Sequence, residues 1–576
     1  FNIKADSTEA VKIREESNLS DSFGESPVLV GTGLGKFIIG NQVGDTDSDG
    51  NLLTNNRDLA IIDLGSAKGD VRYDGFYLNK VSELDLYNLT ILAGDDVIVL
   101  NNKNAILYAE NVVFEDNNSV LENIIGNATL KNVLVKEGNA QVANSIKNAS
   151  TMTLIDSEIK SSIANIGSGT LTLNSTDGNN TVVSVLDNSA TVNTNGTVQI
   201  SEFTNKGTLN TNGNSTISDL VNQKVIVANG NTTFENVNNY IDSEITANGN
   251  TTFNTVENNG LINSNDGTRF VGDVTGNGQI IFNGISTLSG SIIESLIVNV
   301  ENGASLVIDN GTMNFNTNDV WSGNVTLTSG TLNYSDLTSN GVLFAENGNL
   351  NIIDTTLNMI ATSYIKNEVV ISLVKDSILN INGGDVNFND NDSWVGKVVL
   401  NNGTMNYTGL VSNGLIEAKN GSLNVNGSTL TITTGSYIDN NVALTIVDLA
   451  KISVVENGIV NINDNDSWNG TVELNGGTLN YSGLTVNSLL VATKGNLNIS
   501  SGNLNVIENA FIKDAVVVNL LTDATLTINS GEMNFNTGDT WSGKVVQNAG
   551  TLNYSGLTEN GVIESNSGIL NVNSGK

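Results

Sequence analysis

The 576-residue sequence predicts an all-β chain folded as a single elongated parallel β-solenoid. Short segments such as GTLNY, GNLNI and TLTI alternate apolar and polar residues, as strands with one buried face do. Pairs such as NG, DG, GN and SG separate these segments and are typical of tight turns. The segments recur every 17 to 24 residues. One coil of a parallel solenoid needs about twenty residues, whereas a propeller blade needs about 40 to 50, so the period favours the solenoid.

Four regions follow one another along the chain. Residues 1–60 are predicted to form an N-terminal cap and the first strands. Residues 61–190 are predicted to form irregular coils, in which Asn88, Asn111 and Asn132 recur at intervals of 23 and 21. Residues 191–300 are predicted to form coils of about 18 residues, because a glycine followed four positions later by an apolar residue recurs there. These glycines are Gly196, Gly213, Gly230, Gly249 and Gly267.

Residues 301–576 are predicted to form four tandem repeats of about 73 residues, the last of them truncated. The chain has four tryptophans, spaced 73, 74 and 73 residues apart, within the pattern W-x-G-x-V-x-x-x-x-G-T-[LM]-N-Y. A tyrosine follows each tryptophan by thirteen residues, and an aspartate precedes it by two. The tryptophans are Trp321, Trp394, Trp468 and Trp541, and the tyrosines are Tyr334, Tyr407, Tyr481 and Tyr554.

The composition favours stacked coils and excludes several classes of enzyme. The chain has no His and no Cys, which removes histidine-based triads, thiol nucleophiles, disulfides and zinc sites built from these residues. Only 15% of the residues are charged, and the net charge is −35. In stacked coils each position lies about 4.8 Å above its equivalent, so Asn, Thr and Ser form ladders where charges would repel. The negative charge disfavours nucleic acids and anionic lipids as partners, and no segment is expected to insert into a membrane.

Richness in Asn, Gly and Thr, lack of Cys and imperfect coil repeats extend over nearly the whole chain. In these respects the chain resembles the passenger regions of type V secretion autotransporter adhesins of Gram-negative bacteria. The resemblance implies a right-handed parallel β-helix that is secreted and displayed on the outer membrane at the cell surface. The chain opens on Phe1, and the fourth repeat stops about 35 residues after Trp541. Both ends are therefore expected to derive from a longer polypeptide.

The segment DTDSDGN at residues 45–51 resembles the first half of a calcium loop. Asp45, Asp47 and Asp49 alternate before a glycine, and the carbonyl group of Asn51 comes next, as calcium coordination requires. The twelfth position is Asn56 instead of a bidentate glutamate, which argues against an EF-hand. Two interpretations stay open, a structural Ca²⁺ site and an acidic turn closed by glycine. No other cofactor is predicted.

The repeated Asp-x-Trp element also allows two interpretations. Tryptophan faces stack on sugars and carboxylates bind hydroxyl groups, so the element is a candidate row of carbohydrate contacts. One aromatic residue per repeat, at a fixed distance from a tyrosine, is equally typical of a packing ladder, and this second interpretation is favoured. The candidate ligand-binding residues are Trp321, Trp394, Trp468 and Trp541 with Asp319, Asp392, Asp466 and Asp539.

Carboxylate pairs raise the possibility of a polysaccharide-degrading enzyme on a β-helix scaffold. Asp95 with Asp96 and Asp390 with Asp392 are such pairs, and glycosidases use two carboxyl groups at a defined separation. The second pair recurs 74 residues later as Asp464 and Asp466, whereas an active site is not normally repeated along a rod. We therefore expect no catalytic residues.

Two non-enzymatic functions remain. The preferred one is an adhesin that attaches to a host or bacterial surface glycan or protein through many weak contacts. The other is a structural subunit that associates with copies of itself into an extracellular fibre or surface matrix. Calcium discriminates between them, because a charge of −35 opposes self-association unless cations bridge the chains.

Overall fold

The computed structural model describes residues 2–3, 10–11, 29–31, 35–40, 61–64, 75–78, 82–138 and 145–575. These residues form parallel strands stacked as a β-solenoid of about 26 turns, without any helix among them. The predicted fold class is therefore confirmed. No helix capable of crossing a membrane was found within these ranges. The chain divides into two compact units, Phe1–Ile297 and Val298–Lys576.

The described strands of the first unit are short and all pair in parallel. They are Asn2–Ile3, Ala10–Val11, Leu29–Gly31, Gly35–Gly40, Ile61–Asp63, Phe76–Leu78, Ser82–Leu92, Asp96–Leu100, Ile106–Glu115, Ser119–Asn123, Asn127–Lys131, Leu134–Val135, Ser145–Asn148, Thr151–Ile155, Glu158–Asn165, Thr170–Asn174, Thr181–Asn188, Thr191–Asn195, Thr197–Asn205, Thr208–Thr211, Asn214–Asn222, Val225–Ala228, Thr232–Asn239, Glu244–Ala247, Thr251–Asn258, Leu261–Ser264, Thr268–Phe270, Val274–Thr275, Gln279–Phe282, Ile285–Leu288 and Ser291–Ile292.

The second unit begins within the strand Ile297–Val300. Its further described strands are Ser305–Ile308, Thr312–Phe315, Val320–Trp321, Asn324–Leu327, Thr331–Ser335, Val342–Ala345, Gly348–Ile353, Thr356–Met359, Tyr364–Ile365, Val369–Leu373, Ile378–Ile381, Asp385–Phe388, Ser393–Trp394, Lys397–Leu400, Thr404–Thr408, Leu415–Ala418, Gly421–Asn426, Thr429–Ile432, Tyr437–Ile438, Val442–Ile446, Lys451–Val455, Ile459–Ile462, Ser467–Trp468, Thr471–Tyr481, Leu489–Ile499, Gly502–Val506, Phe511–Ile512, Val516–Leu520, Ala524–Ile528, Glu532–Phe535, Thr540–Trp541, Lys544–Gln547, Thr551–Ser555, Val562–Ser565 and Ile569–Ser574.

The alternating sequence pattern decides which side chains enter the core. In Thr170–Asn174, the two leucines are buried and the polar residues between them face outward. This follows from the period of two in a strand, where successive side chains point to opposite faces. Parallel in-register pairing then places each side chain next to a similar side chain of the adjacent turn. The rings of Phe234, Phe253 and Phe270 stack in this way, at centroid distances of 5.3 and 5.1 Å.

Asparagine ladders run through the first unit, as the composition predicted. Asn88, Asn111 and Asn132 all have positive φ, between 50° and 58°, and each amide of the later two donates to the asparagine one turn earlier. A second ladder lies in the core. Each side-chain NH₂ donates to the Oδ1 of the next member at 2.7 to 2.9 Å. Its members are Asn123, Asn148, Asn165, Asn188, Asn205, Asn222, Asn239 and Asn258.

The core ladder satisfies its own polar groups. Asn205 accepts a hydrogen bond from Asn188 at 2.8 Å, and its amide donates to Asn222 at 2.9 Å and to the backbone carbonyl of Val225 at 3.0 Å. Its exposed fraction is 0%. A buried amide without such partners would cost about 1 to 3 kcal/mol. Asparagine is therefore compatible with the core only because the next turn repeats it.

Each turn of the second unit has three sides. We name them by the first three strands of the unit: side A continues Ile297–Val300, side B continues Ser305–Ile308 and side C continues Thr312–Phe315. Along side B, eight strand pairings connect Ser305–Ile308 to Ser467–Trp468. Side C leads in the same way to Ser393–Trp394. Val320–Trp321 lies on side A.

One loop per repeat takes the place of a strand on the side that carries the tryptophan. In the turn after Trp321, residues 336–341 lie between that strand and Thr356–Met359. The amide of Asn340 donates to the carbonyl group of Asn358 at 2.7 Å, and its Oδ1 accepts from the Asn358 backbone at 2.8 Å. Side A therefore continues through this loop, and nine further pairings lead along it from Thr356–Met359 to Thr540–Trp541.

The length of one repeat is not a whole number of turns. After Val320–Trp321 the chain passes through nine strands and one loop before it reaches the same point of the next repeat, Ser393–Trp394, which is therefore the eleventh side. Eleven sides are three full turns and two further sides, so equivalent residues of successive repeats lie on sides A, C, B and again A. With about 4.8 Å per turn, neighbouring repeats are displaced by about 18 Å, and the same side recurs after about 53 Å.

One residue of the second unit, Leu449, has a strained backbone conformation. Leu449 has φ of 69° and is 93% exposed. Gly303 and Asp376 occupy the equivalent position of the two preceding repeats, with φ of 88° and 68°. Glycine adopts this conformation freely and aspartate tolerates it, whereas a leucine pays about 1 to 2 kcal/mol.

Candidate functional site: repeated aromatic clusters

The predicted calcium ligands lie outside the described residues. This applies to Asp45, Asp47, Asp49 and Asn51, so the Ca²⁺ site stays a prediction. Among the described residues, no group of three or more acidic side chains is arranged to hold a metal ion.

The four tryptophans lie inside the stack. Their exposed fractions are between 2% and 4%. Trp321 stacks on Phe315 with a centroid distance of 5.0 Å and an interplanar angle of 12°, and its edge meets Tyr334 at 5.9 Å. The indole nitrogen donates to the carbonyl group of Gly323 at 3.1 Å. The other three indoles make the same bond to the glycine two residues later, at 3.0 to 3.1 Å.

The stacking partner differs in one repeat. Phe388 and Phe535 stack on Trp394 and Trp541 at 4.9 and 4.7 Å. The equivalent residue in the third repeat is Ile462, so Trp468 keeps only its edge contact with a tyrosine, at 6.3 Å. Because aromatic pairs add about 0.5 to 1.5 kcal/mol beyond area burial, the third cluster lacks a contribution that the others have.

The aspartates before the tryptophans bind backbone amides. In Asp319, one carboxylate oxygen accepts from the Val298 backbone at 2.7 Å and the other from the Asn316 backbone at 2.8 Å. Asp392, Asp466 and Asp539 repeat this pattern at 2.7 to 2.8 Å. Each carboxylate thus joins one turn to the preceding one.

Burial raises the pKa of these carboxyl groups. The pKa of Asp319 is raised to about 6 because burial disfavours its charge, while the two backbone hydrogen bonds act in the opposite direction. The pKa of Asp392 is also raised to about 6, by burial and by the neighbouring charge of Asp390. The pKa values of Asp466 and Asp539 are raised for the same main reason.

The hydroxyl groups of the repeated tyrosines donate hydrogen bonds to backbone carbonyl groups. The hydroxyl of Tyr407 donates towards the carbonyl groups of Leu410 at 3.5 Å and Thr429 at 3.0 Å. Burial raises the pKa of Tyr407 to about 12. Tyr481 binds the equivalent carbonyl groups at 2.7 and 2.9 Å. The tyrosine therefore anchors the loop that replaces a strand in each repeat.

The structure brings together the candidate tryptophan and aspartate of each repeat, together with the tyrosine, as one interior cluster. The indole faces contact protein atoms, and both carboxylate oxygens accept hydrogen bonds from backbone amides. The clusters of successive repeats lie on different sides of the turn, so they do not form a row.

Within each predicted carboxylate pair, the two aspartates have different surroundings. Asp392 is held by two backbone amides, whereas its neighbour Asp390 is exposed. In the first unit, Asp95 accepts from the Asn118 amide at 2.5 Å. Burial, and then the charges of Asp95 and Glu122, raise the pKa of Asp96.

A second aromatic position emerges from the structure and was missed in the sequence. Tyr364, Tyr437 and Phe511 each follow a tryptophan by 43 residues and lie on two-residue strands. In each strand the following isoleucine is buried and the aromatic residue is half-buried on the outer face. The fixed offset of 43 residues was a signal in the sequence, but only the strand orientation distinguishes an outward ring from a core ring.

No protein-family model matches the chain, and no curated protein matches it.

Proposed function

We propose that this chain is a non-enzymatic β-solenoid scaffold that acts as an adhesin passenger, attaching a Gram-negative cell to other cells, glycans or bacteria. The observation that carries the proposal is the division of labour within each repeat. The chemically versatile residues, Asp, Trp and Tyr, hold the turns together, and the outer faces carry variable polar and aromatic side chains. Such a scaffold supports many weak contacts over a large surface.

Secretion, surface display and freedom from catalysis belong to the same proposal. Their support is the resemblance of the sequence to autotransporter passengers and the solenoid fold. A structural Ca²⁺ ion at residues 45–51 also remains a proposal, supported by the spacing of the three aspartates.

Attachment of coated beads to cells tests this function. Beads coated with the full chain are expected to bind epithelial or bacterial cells, and soluble full chain is expected to compete for binding. Beads coated with albumin serve as the control. If coated beads bind no better than albumin beads to any cell type, the adhesin proposal is wrong.

A second candidate is a self-associating structural subunit. It is favoured by large apolar side chains at the surface, since Val411 and Leu449 are each 93% exposed, Ile241 is 73% exposed and Val486 is 72% exposed. Sedimentation velocity with 2 mM Ca²⁺ and then with excess EGTA separates the two. Calcium-dependent polymers favour the structural subunit, and a monomer under both conditions favours the adhesin.

A further inference from the structure

Charged side chains lie beside the outward aromatic residues of the second unit. The Tyr364 hydroxyl donates to Glu346 at 2.8 Å, and the Lys366 ammonium group lies 3.3 Å from the same oxygen and 5.3 Å from the Tyr364 ring centroid. The ring of Phe344, on the preceding turn, lies 5.3 Å from Tyr364. Two outward rings, one carboxylate and one ammonium group therefore form a single surface cluster.

The equivalent positions keep the ring and vary the charges. Tyr437 lies directly above Glu417, which binds Lys397 at 3.1 Å and Lys419 at 3.4 Å. In the next repeat, the ammonium group of Lys513 lies 5.1 Å from the ring centroid of Phe511. A common platform with changing polar neighbours is typical of a contact surface whose specificity differs between repeats.

The chemistry of these clusters selects a class of ligand. A half-exposed ring offers an apolar face, and the adjacent carboxylate and ammonium groups accept and donate hydrogen bonds at its edge. A saccharide presents the complementary surface, with an apolar C–H face bordered by hydroxyl groups. The net charge of −35 opposes anionic polymers, which favours an uncharged saccharide.

We propose that Tyr364, Tyr437 and Phe511, with their polar neighbours, are contact sites for neutral glycans. This inference rests on the proposed adhesin function and names its ligand class. Tyr364 lies on side B, Tyr437 on side A and Phe511 on side C. Neighbouring sites are therefore about 18 Å apart along the unit and face different directions. A linear glycan lying along one side reaches one site, whereas branched or surrounding glycans reach all three.

Binding of neoglycoproteins to the immobilised full chain tests the proposal. The probes are albumin conjugates of neutral tetrasaccharides of glucose, galactose and N-acetylglucosamine, with heparin as the anionic probe. The triple variant Tyr364→Ala, Tyr437→Ala, Phe511→Ala is expected to lose at least tenfold in affinity for the conjugate that the parent chain binds. Heparin is expected not to bind.

The matched control replaces outward aliphatic or hydroxyl side chains on all three sides, as Thr326→Ala, Val370→Ala, Val517→Ala. It is expected to stay within twofold of the parent, and Tyr364→Phe is expected to retain binding because it keeps the ring. Equal loss in the triple variant and the control, or full binding by the triple variant, overturns the proposal. If no neutral conjugate binds but coated beads still attach to cells, the glycan assignment is wrong and the adhesin function stands. If neither binds, both are wrong.

Discussion

The buried asparagine ladder makes a sharp prediction about stability. Replacing Asn205 by alanine removes the acceptor of the Asn188 amide and the donor to Asn222 and to the Val225 carbonyl group, all at a fully buried position. Leaving a buried polar group without a partner costs about 1 to 3 kcal/mol, and the two asparagine partners, Asn188 and Asn222, are only 2% and 0% exposed. We expect Asn205→Ala to lower the free energy of opening of its own and the two adjacent turns by about 2 to 5 kcal/mol.

Hydrogen exchange measured by mass spectrometry resolves this effect, because it reports opening free energies for individual segments. The matched control is Asn210→Ala. Asn210 donates to Asn193 at 2.9 Å in the same way, but the pair is only part-buried, so water replaces the lost partner. We expect a change within about 1 kcal/mol for the control. Equal loss of protection in the two variants would refute the idea that the core ladder is stabilising because water cannot replace its buried hydrogen-bond partners.

Three further predictions concern the second unit. Leu449→Asn is expected to stabilise it by about 1 kcal/mol in denaturant unfolding, because asparagine adopts a positive φ at lower cost than leucine. Val411→Asn, at an equally exposed position, is expected to change stability by less than about 0.5 kcal/mol. The folded pKa of Asp319 lies above its unfolded value, so its contribution to stability is greatest below pH 4 and is lost as the pH rises to about 6. Between pH 4 and 7 the parent is expected to lose up to about 3 kcal/mol more stability than Asp319→Asn, which keeps the raised pKa values of Asp392, Asp466 and Asp539; parallel curves contradict this. Trp394→Leu is expected to cost about 0.5 to 1.5 kcal/mol more than Trp468→Leu in tryptophan-monitored unfolding, because only the former loses a stacked ring.

The fold was predictable because every turn buries its apolar residues and changes direction with the same kinds of residue. Alternating apolar residues mark each strand, and asparagine or glycine marks the turns, so the period alone favours a solenoid. The ladders were also predictable, since Asn88, Asn111 and Asn132 recur at the spacing of one turn and stack in the structure.

The disposition of sites was not predictable in the same way. Which side of a turn a residue occupies depends on the summed lengths of all preceding strands and loops. The loop at residues 336–341 takes one side without resembling a strand, so the eleven sides of a repeat are countable only from strand pairings. The outward position of Tyr364 likewise depends on the parity of a two-residue strand, in which Ile365 is the buried member.

The mismatch between repeat and turn bears directly on what the second unit can bind. A repeat of nine or twelve sides would place every copy of a surface residue in one column, and that column would match a regular polymer or a second copy of the chain. With eleven sides, a column instead brings together unlike positions of successive repeats. Sequence repetition then distributes equivalent surface residues around the unit without creating a uniform stripe on any side. Such an arrangement favours avidity towards a ligand that surrounds the scaffold, and it opposes the regular lateral packing that a uniform stripe would promote.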